Sequence, residues 1–309
     1  MGGPCSAGSF AEPGRRSPKL RNMGERLVHA RGELRLDHCL VMGIVNRTPD
    51  SFYDGGRMDL RTAVDHSLRL VDEGADVLDI GAIKAGPGEA VDEAEEFRRL
   101  VPLVAALAES TAIPISVETA RHSVAHAAIE VGAAIVNDVS ELADQKLAPV
   151  CAETGAALIL MHHGGQIRGR PRHPEYADVV EEVRLGWKEL ADTASAAGVS
   201  ADRLMVDPGL DFGKTTYHSL ELIARLTDLT ASPWPVLVAP SRKDVVGESL
   251  DLEPDDRLEG TLALITLSVA AGAAAVRVHD VRAAVRVTRM TETVLGRRDP
   301  VRPLRGLWD

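Results

Sequence analysis

Eight short apolar runs recur along this chain, and each is followed by a longer segment with helical periodicity. Leu100, Leu103, Val104 and Leu107, for example, fall on one helical face. Strands that alternate with helices pair in parallel, and eight such units close into a barrel with right-handed crossovers. The sequence therefore predicts a single-domain α/β fold, a (β/α)8 TIM barrel. The predicted strands are residues 39–45, 76–80, 113–117, 134–136, 157–161, 203–206, 235–239 and 274–278.

The predicted barrel domain spans residues 23–298. Residues 1–22 are rich in Gly, Pro, Ser and Arg and have no apolar core, which predicts a disordered N-terminal tail, and residues 299–309 form a C-terminal tail. Residues 26–36 are predicted to form a small hairpin that plugs the barrel floor. A doubly wound open sheet is the alternative fold, but it usually has a Gly-rich turn after its first strand, and none follows residue 45.

Charge and cysteine content narrow the class of protein. A net charge of −11 argues against general binding to nucleic acid or to an anionic membrane. No apolar stretch reaches the roughly 18 residues of a membrane span. Cys5, Cys39 and Cys151 have no metal-like spacing, and a sparse, odd count fits a reducing compartment. We therefore expect a cytoplasmic protein with a small-molecule ligand.

Polar residues follow or end all eight predicted strands. In a parallel barrel these ends meet at one face, where catalytic groups project. A single Asp after a strand is usually a turn former or a helix cap, but polar ends on every strand favour a built pocket. In chain order they are Asn46, Asp79, Glu118, Asn137 with Asp138, His162 with His163, Asp207, Ser241 with Arg242 and Lys243, and Arg277 with His279.

Cations concentrate in the loops after these strands although the chain is acidic overall. Arg47, Lys214, Arg242, Lys243 and Arg277 are examples. Such a cluster indicates a small anionic ligand, and phosphate is the usual one in barrels. Asn46 with nearby carboxylates offers hard oxygen ligands, which predicts Mg²⁺ bridging phosphate oxygens.

Several motifs together resemble one enzyme family. The stretch 41–56 reads Val-Met-Gly-Ile-Val-Asn-Arg-Thr-Pro-Asp-Ser-Phe-Tyr-Asp-Gly-Gly. Further along are Ile-Val-Asn-Asp-Val-Ser at 135–140, Leu-Met-His at 160–162, Asp-Pro-Gly-Leu at 207–210, Phe-Gly-Lys-Thr at 212–215, Ser-Arg-Lys at 241–243 and Arg-Val-His-Asp at 277–280. In this order they are similar to the signatures of dihydropteroate synthase, over about residues 38 to 290.

The resemblance implies the roles of particular residues. The family condenses a dihydropterin carrying a methyl diphosphate with p-aminobenzoate, with the help of Mg²⁺. By similarity, Asn46, Arg277 and His279 would hold the diphosphate and Asn46 the metal ion. Glu118 and the three residues Asn137, Asp207 and Lys243 would bind the pterin substrate. Catalytic roles would fall to Lys243 and Asp79, and a homodimer is implied.

The second loop departs from the family pattern. Where the family reads approximately Asp-x-Gly-Gly-Glu-Ser-Thr-Arg-Pro-Gly, residues 79–88 read Asp-Ile-Gly-Ala-Ile-Lys-Ala-Gly-Pro-Gly. In the family, the Thr and Arg of this loop help to build the aminobenzoate pocket. Their loss removes polar groups that position the second substrate, and Lys84 is no planar bidentate substitute for an arginine.

Two further departures fall beside the predicted site. Glu118 stands where the family has Asp, so its carboxylate reaches one methylene further. A displacement of about 1 Å in a tight site can lower the rate by about 10²-fold. Asp244 replaces the family's Ser after Lys243 and adds a negative charge there.

Four interpretations of the chain remain open at this stage. The leading one is a dihydropteroate synthase paralogue with weak or lost synthase activity. The others are an active synthase with a compensated loop, a transferase for another pterin-like or diphosphate substrate, and a non-catalytic partner that docks through the apolar segment 261–271.

Overall fold

A computed structural model of the chain describes residues 26–46, 60–83, 91–165 and 174–303. The predicted tail 1–22, Arg47 and the core of the second loop, residues 84–88, lie outside these described residues. Residues 299–303 of the predicted C-terminal tail are described and contain no helix or strand.

The main sheet is a ring of eight parallel strands. Their spatial order is β8-β7-β6-β5-β4-β3-β10-β9. A parallel bridge between Val206 and Val236 joins the two ends of this order and closes the barrel. The strands are β3 (Leu40–Asn46), β4 (Val77–Gly81), β5 (Ile115–Glu118), β6 (Ile135–Asp138), β7 (Ala157–Met161), β8 (Leu204–Asp207), β9 (Leu237–Val238) and β10 (Ala275–Val278). The TIM-barrel prediction is confirmed.

Helices cover the outside of this ring. Within the described residues they are α1 (Leu60–Asp72), α2 (Glu93–Ser110), α3 (His122–Glu130), α4 (Leu147–Thr154), α5 (Val179–Ala196), α6 (Thr216–Ala224), α7 (Leu226–Thr230), α8 (Asp244–Leu250), α9 (Leu258–Ala270) and α10 (Val281–Val294), with short 3-10 turns at Ala201–Arg203 and Pro254–Asp256. The predicted face of α2 is confirmed, because Leu100, Leu103, Val104 and Leu107 are fully buried. Strands covered on both faces are apolar throughout, which explains the continuous runs in the sequence.

A hairpin closes the floor of the barrel, as predicted. Strands β1 (Arg26–His29) and β2 (Gly32–Arg35) pair antiparallel. Leu27 and Leu36 are buried against a second apolar cluster that includes Met42, Ile135 and Met205. These residues come from the interior side of the strands near their amino ends. Within the described residues the floor is therefore packed shut, so a ligand of the barrel interior would enter from the opposite face.

The observed strands differ from the predicted runs at their ends. β9 contains only two residues, and β5 begins at Ile115, two residues later than predicted. β3, β5, β6 and β8 each include the polar residue that was expected to follow them, because the neighbouring strand continues the ladder; Glu118, for instance, pairs with Asn137. Asp79 was expected at the end of its strand. It lies in the middle of β4 and points into the barrel, with no exposed surface.

Two cysteines are described, and both are free and buried. Burial raises the pKa of Cys39 and raises that of Cys151 to about 12, so neither thiol ionises at neutral pH. Within the described residues, no helix has both the length and the apolar content needed to cross a membrane.

Candidate functional site

The carboxyl ends of the strands bring the predicted site residues to one face, here called the mouth. Asn46, Glu118 and Asp207 are the last residues of β3, β5 and β8, and Asn137 is the penultimate residue of β6. Arg277 lies on β10, and Lys243 and His279 come from the loops after β9 and β10. With Asp79 of β4, which contacts Arg277, the eight predicted residues thus converge, although they are spread over more than 230 positions of the sequence.

Arg277 is bound by two carboxylates inside the mouth. Its Nε donates to Asp79 Oδ2 at 2.5 Å, and its Nη2 donates to Glu118 Oε2 at 2.6 Å. Asn137 Nδ2 donates to the same Asp79 oxygen at 3.1 Å. The other oxygen of Asp79, Oδ1, is buried and accepts no hydrogen bond in the described structure. We call Asp79, Glu118 and Arg277 the carboxylate clamp.

Burial governs the charges of this clamp. It raises the pKa of Glu118, while Arg277 opposes that rise. Burial alone would lower the pKa of Arg277, but Asp79 and Glu118 reverse the effect and the pKa is raised overall. Arg277 is therefore a permanent cation that lies against two buried acidic side chains.

The three residues predicted to recognise a pterin, Asn137, Asp207 and Lys243, form a second group, here called the pterin edge. Asp207 is 3 % exposed, and its Oδ1 accepts from the backbone N–H of Gly209 at 2.7 Å. Lys243 Nζ donates to the carbonyl of Leu210 at 2.6 Å. Burial raises the pKa of Asp207, although Lys243 opposes the rise.

Some polar atoms of the pterin edge remain open. In the described part of the chain, neither Asn137 Oδ1 nor Asp207 Oδ2 accepts a hydrogen bond. An ammonium group has three donors, and Lys243 uses one of them on Leu210. Two acceptors and a cationic donor can therefore meet the amino and carbonyl groups of a heterocycle.

The loop between β8 and α6 shapes this edge. Phe212 lies under Lys243, with Nζ 4.8 Å from the ring centroid. The loop packs so closely on the end of β7 that a Cβ at Gly209 would lie 2.1 Å from the carbonyl oxygen of His162, and Gly209 has a φ of +64°. Only glycine fits there.

Lys214 fixes this loop and is the residue whose role the sequence did not reveal. It is 3 % exposed, and its Nζ donates to the carbonyls of His162 and Phe212, both at 3.0 Å. Burial lowers the pKa of Lys214 to about 7 and that of His162 to about 3. The sequence presented Lys214 as one of several ligand-facing cations; the two flanking glycines were the available sign of close backbone packing.

His279 is held at the opposite side of the mouth. Its Nδ1 lies 2.9 Å from Ser241 Oγ, and its Nε2 lies 3.4 Å from Asn46 Nδ2. Burial lowers the pKa of His279 to about 4, so the imidazole is neutral at neutral pH. A neutral ring that accepts from Asn46 at Nε2 donates from Nδ1 to Ser241. Ser241, which the sequence indicates only as one of the polar residues at the strand ends, is thus a positioning partner of His279.

The remaining described arginines of the mouth are paired with carboxylates. Arg242 makes a two-pronged contact with Asp280, at 3.1 and 3.0 Å. Arg257 donates to Asp244 at 3.2 Å. The predicted cluster of cations is present at the mouth, but Arg242, Arg257 and Arg277 are each paired with carboxylates.

The donor set around Asn46 fits a magnesium ion that a bound phosphate helps to coordinate. Asn46 Nδ2 faces His279, which leaves Oδ1 without a partner among the described residues. No cluster of three or more His, Cys, Asp or Glu with metal-binding geometry occurs in the described ranges. Mg²⁺ usually binds one or two protein oxygens, substrate phosphates and water, so one amide oxygen is compatible with it.

Comparison with known proteins agrees with this geometry. Residues 42–279 match the model of the family described as pterin binding enzyme. Dihydropteroate synthase of Escherichia coli K12 is 38% identical over 268 residues, covering 86% of this chain and 95% of the relative. The chain belongs to the dihydropteroate synthase family.

Other members of the dihydropteroate synthase family are still more similar in sequence or match in structure. Inactive dihydropteroate synthase 2 of Mycobacterium tuberculosis H37Rv is 46% identical over 280 residues, covering 88% of this chain and 87% of the relative. The dihydropteroate synthase of Xanthomonas albilineans, solved with 4-aminobenzoic acid, superposes with a TM-score of 0.82 at 41% identity, covering 87% of this chain and 98% of the other. The same enzyme has been solved in complex with 7,8-dihydropteroate, with a TM-score of 0.79.

Proposed function

We propose that this chain is a pterin-binding paralogue of dihydropteroate synthase in which condensation with p-aminobenzoate is weak or lost. The observation that carries the proposal is the contrast between the described pterin edge and the sequence of the second loop. The pterin edge of Asn137, Asp207 and Lys243 is complete, whereas the second loop lacks the family's polar residues.

The pterin edge, which keeps the family's residues, supports pterin binding. A carboxylate and an amide can read the amino and ring N–H groups of a pterin together, as buried polar groups do in small-molecule sites. The match to the pterin-binding family model and the complex of a relative with 7,8-dihydropteroate support the same ligand class.

The altered sequence of the second loop supports a weak or lost synthase activity. The Ile83-Lys84-Ala85-Gly86 sequence supplies neither the hydroxyl nor the guanidinium of the family loop. A relative at 46% identity carries the name inactive dihydropteroate synthase 2. Binding of one substrate without positioning of the other gives little rate acceleration, because much of catalysis comes from orientation.

Further roles follow from this assignment. Asp79 and Lys243 stand as the catalytic candidates, and Asn46 would hold Mg²⁺ through Oδ1, where the ion would neutralise a departing diphosphate when bound. We further propose a cytoplasmic homodimer. Exposed Leu267 on α9 and Met290 and Val294 on the neighbouring α10 supply an apolar surface for it, and Leu267→Glu with Met290→Glu should convert the dimer to a monomer in light scattering.

A turnover assay tests the main proposal. Purified full-length protein receives dihydropterin diphosphate, p-aminobenzoate and Mg²⁺, dihydropteroate is measured, and pterin binding is followed by calorimetry. The E. coli enzyme serves as the positive control. Pterin binding with little or no product is expected; turnover comparable to the control, or rescue of a synthase-null strain, would overturn the proposal.

A variant with the family loop sharpens the assay. It combines Ile83→Glu, Lys84→Ser, Ala85→Thr and Gly86→Arg with Glu118→Asp. Product should appear or increase if the second loop and Glu118 limit the reaction. A folded variant that binds pterin and still makes no product would place the defect elsewhere.

A further inference from the structure

We propose that the mouth binds a pterin with an uncharged 6-substituent in preference to the pterin diphosphate, because the carboxylate clamp already occupies Arg277. The inference rests on the proposed function, since it specifies the ligand class of the same site.

Two neighbouring carboxylates already balance the charge of Arg277. Its Nε and Nη2 face Asp79 Oδ2 and Glu118 Oε2 at 2.5 and 2.6 Å. Its side chain is only 15% exposed, so water screens these charges poorly. A diphosphate that approached this guanidinium would bring its own negative charges close to two buried carboxylates. Anionic ligands are therefore disfavoured where an unpaired arginine would attract them.

The other cations of the mouth also have partners within the protein. Arg242 and Arg257 are committed to Asp280 and Asp244. Both ring nitrogens of His279 already have partners, Ser241 Oγ at 2.9 Å and Asn46 Nδ2 at 3.4 Å. Lys243 lies beside Asp207 and donates to Leu210. None of these groups in the described structure offers an uncompensated positive charge to a ligand of charge −2 or −3.

The carboxylate clamp does not occupy the acceptors of the pterin edge. Asn137 Oδ1 and Asp207 Oδ2 remain open to donors. A pterin ring carrying a hydroxymethyl group can use them fully without bringing a phosphate near Glu118. Such a ligand also needs no metal ion to neutralise it, so its binding should not depend on Mg²⁺.

Calorimetric titration of the full-length protein tests the proposal. The two probes are 6-hydroxymethyl-7,8-dihydropterin and its diphosphate, each with Mg²⁺ and with a chelator. Tighter binding of the alcohol, unchanged by the chelator, is expected. Tighter binding of the diphosphate would overturn the inference and leave the proposed function intact, whereas binding of neither probe would overturn both.

Glu118→Gln tests the cause of the preference. Gln keeps the shape of the side chain but removes one of the two negative charges that face Arg277. The ratio of the affinities for the diphosphate and the alcohol should therefore shift toward the diphosphate by about tenfold, the effect of one charge-assisted interaction. Glu118→Asp, which shortens the side chain, should shift it in the same direction and serves if the Gln variant does not fold. An unchanged ratio in a variant with a normal melting curve would refute the role of the clamp.

Glu141→Gln is the matched control. Glu141 is a carboxylate of the neighbouring loop that accepts from the backbone N–H groups of His163 and Gly164 at 2.7 and 3.0 Å. A glutamine oxygen can accept both bonds. The affinity ratio should therefore stay at the wild-type value, and an equal shift in this variant would mean that general charge, not the clamp, sets the preference.

Discussion

The pterin edge and the carboxylate clamp lie side by side in one mouth and are stabilised in opposite ways. Backbone groups hold the pterin edge: Gly209 N–H supports Asp207, and the Leu210 carbonyl holds Lys243. In the clamp, charged side chains satisfy one another, with Arg277 between Asp79 and Glu118. The first arrangement leaves polar atoms open to a ligand, whereas the second places the single guanidinium between two carboxylates.

A site residue can be present in the sequence and still be unavailable to a ligand, because other residues of the protein already bind it. Arg277 and His279 match the family motif at their positions, yet Arg277 is paired and His279 is neutral. A residue that matches the family motif can therefore already be engaged by neighbours from other strands, as Arg277 is by Asp79 and Glu118. Four predictions test the pterin edge and the carboxylate clamp separately.

Removal of Arg277 should have the largest effect. Arg277→Met leaves two buried carboxylates without their cation, which typically costs about 3–5 kcal/mol of the free energy of unfolding. Urea denaturation measures it. Arg282→Met is the control, because Arg282 pairs with Glu73 at an exposed site and should cost less than about 1 kcal/mol. Equal effects of the two changes would mean that the clamp does not stabilise the barrel.

A substitution at Gly209, whose backbone N–H supports Asp207 of the pterin edge, should have the second-largest effect on stability. Gly209→Ala forces a methyl group against the His162 carbonyl and should destabilise the protein by about 3 kcal/mol, through overpacking and a left-handed conformation. Gly165 has a φ of +80° and nothing within 4 Å of an added Cβ, so Gly165→Ala isolates the conformational cost of about 1 kcal/mol. Thermal melts of both variants give the difference, and its absence would refute the close-packing argument.

Asp207→Asn should act on ligand affinity more than on folding. A neutral amide loses the charge-assisted bond to the pterin, so affinity should fall about 10- to 100-fold for the pterin alcohol and the diphosphate alike. Calorimetry with both ligands is the measurement. A selective loss of the diphosphate would instead place Asp207 on the anion-binding side of the mouth.

Glu118→Gln should change how stability depends on pH. Burial raises the pKa of Glu118 above its ordinary value of 4.5, so the folded chain holds this proton more tightly than the unfolded chain does. The contribution is fully present below pH 4.5 and is lost as pH rises through the folded-state pKa. The Gln variant, which mimics the protonated form, should therefore gain stability relative to wild type as pH increases, in denaturant titrations from pH 4 to 8. A gap that is constant with pH would contradict this.

Much of the fold could be predicted from local pattern. The alternation of apolar runs and amphipathic segments requires strands buried on both faces and helices outside them, which a closed parallel barrel provides. β9 is shorter than predicted because Ala239 is buried without pairing in the ladder and Val236 forms only an isolated bridge to Val206. Asp79 was misplaced because alternation along a strand does not by itself reveal which polar residue points inward.

The sequence alone determined the barrel, the floor hairpin and the identity of the residues that meet at the mouth, since strand order and the carboxyl-end rule place them together. Only the tertiary structure decided which of them are paired. Whether Arg277 faces a ligand or two carboxylates depends on contacts between residues 159 and 198 positions apart. Distances of a few tenths of an ångström control such ion pairs, and one-dimensional pattern carries no information about them.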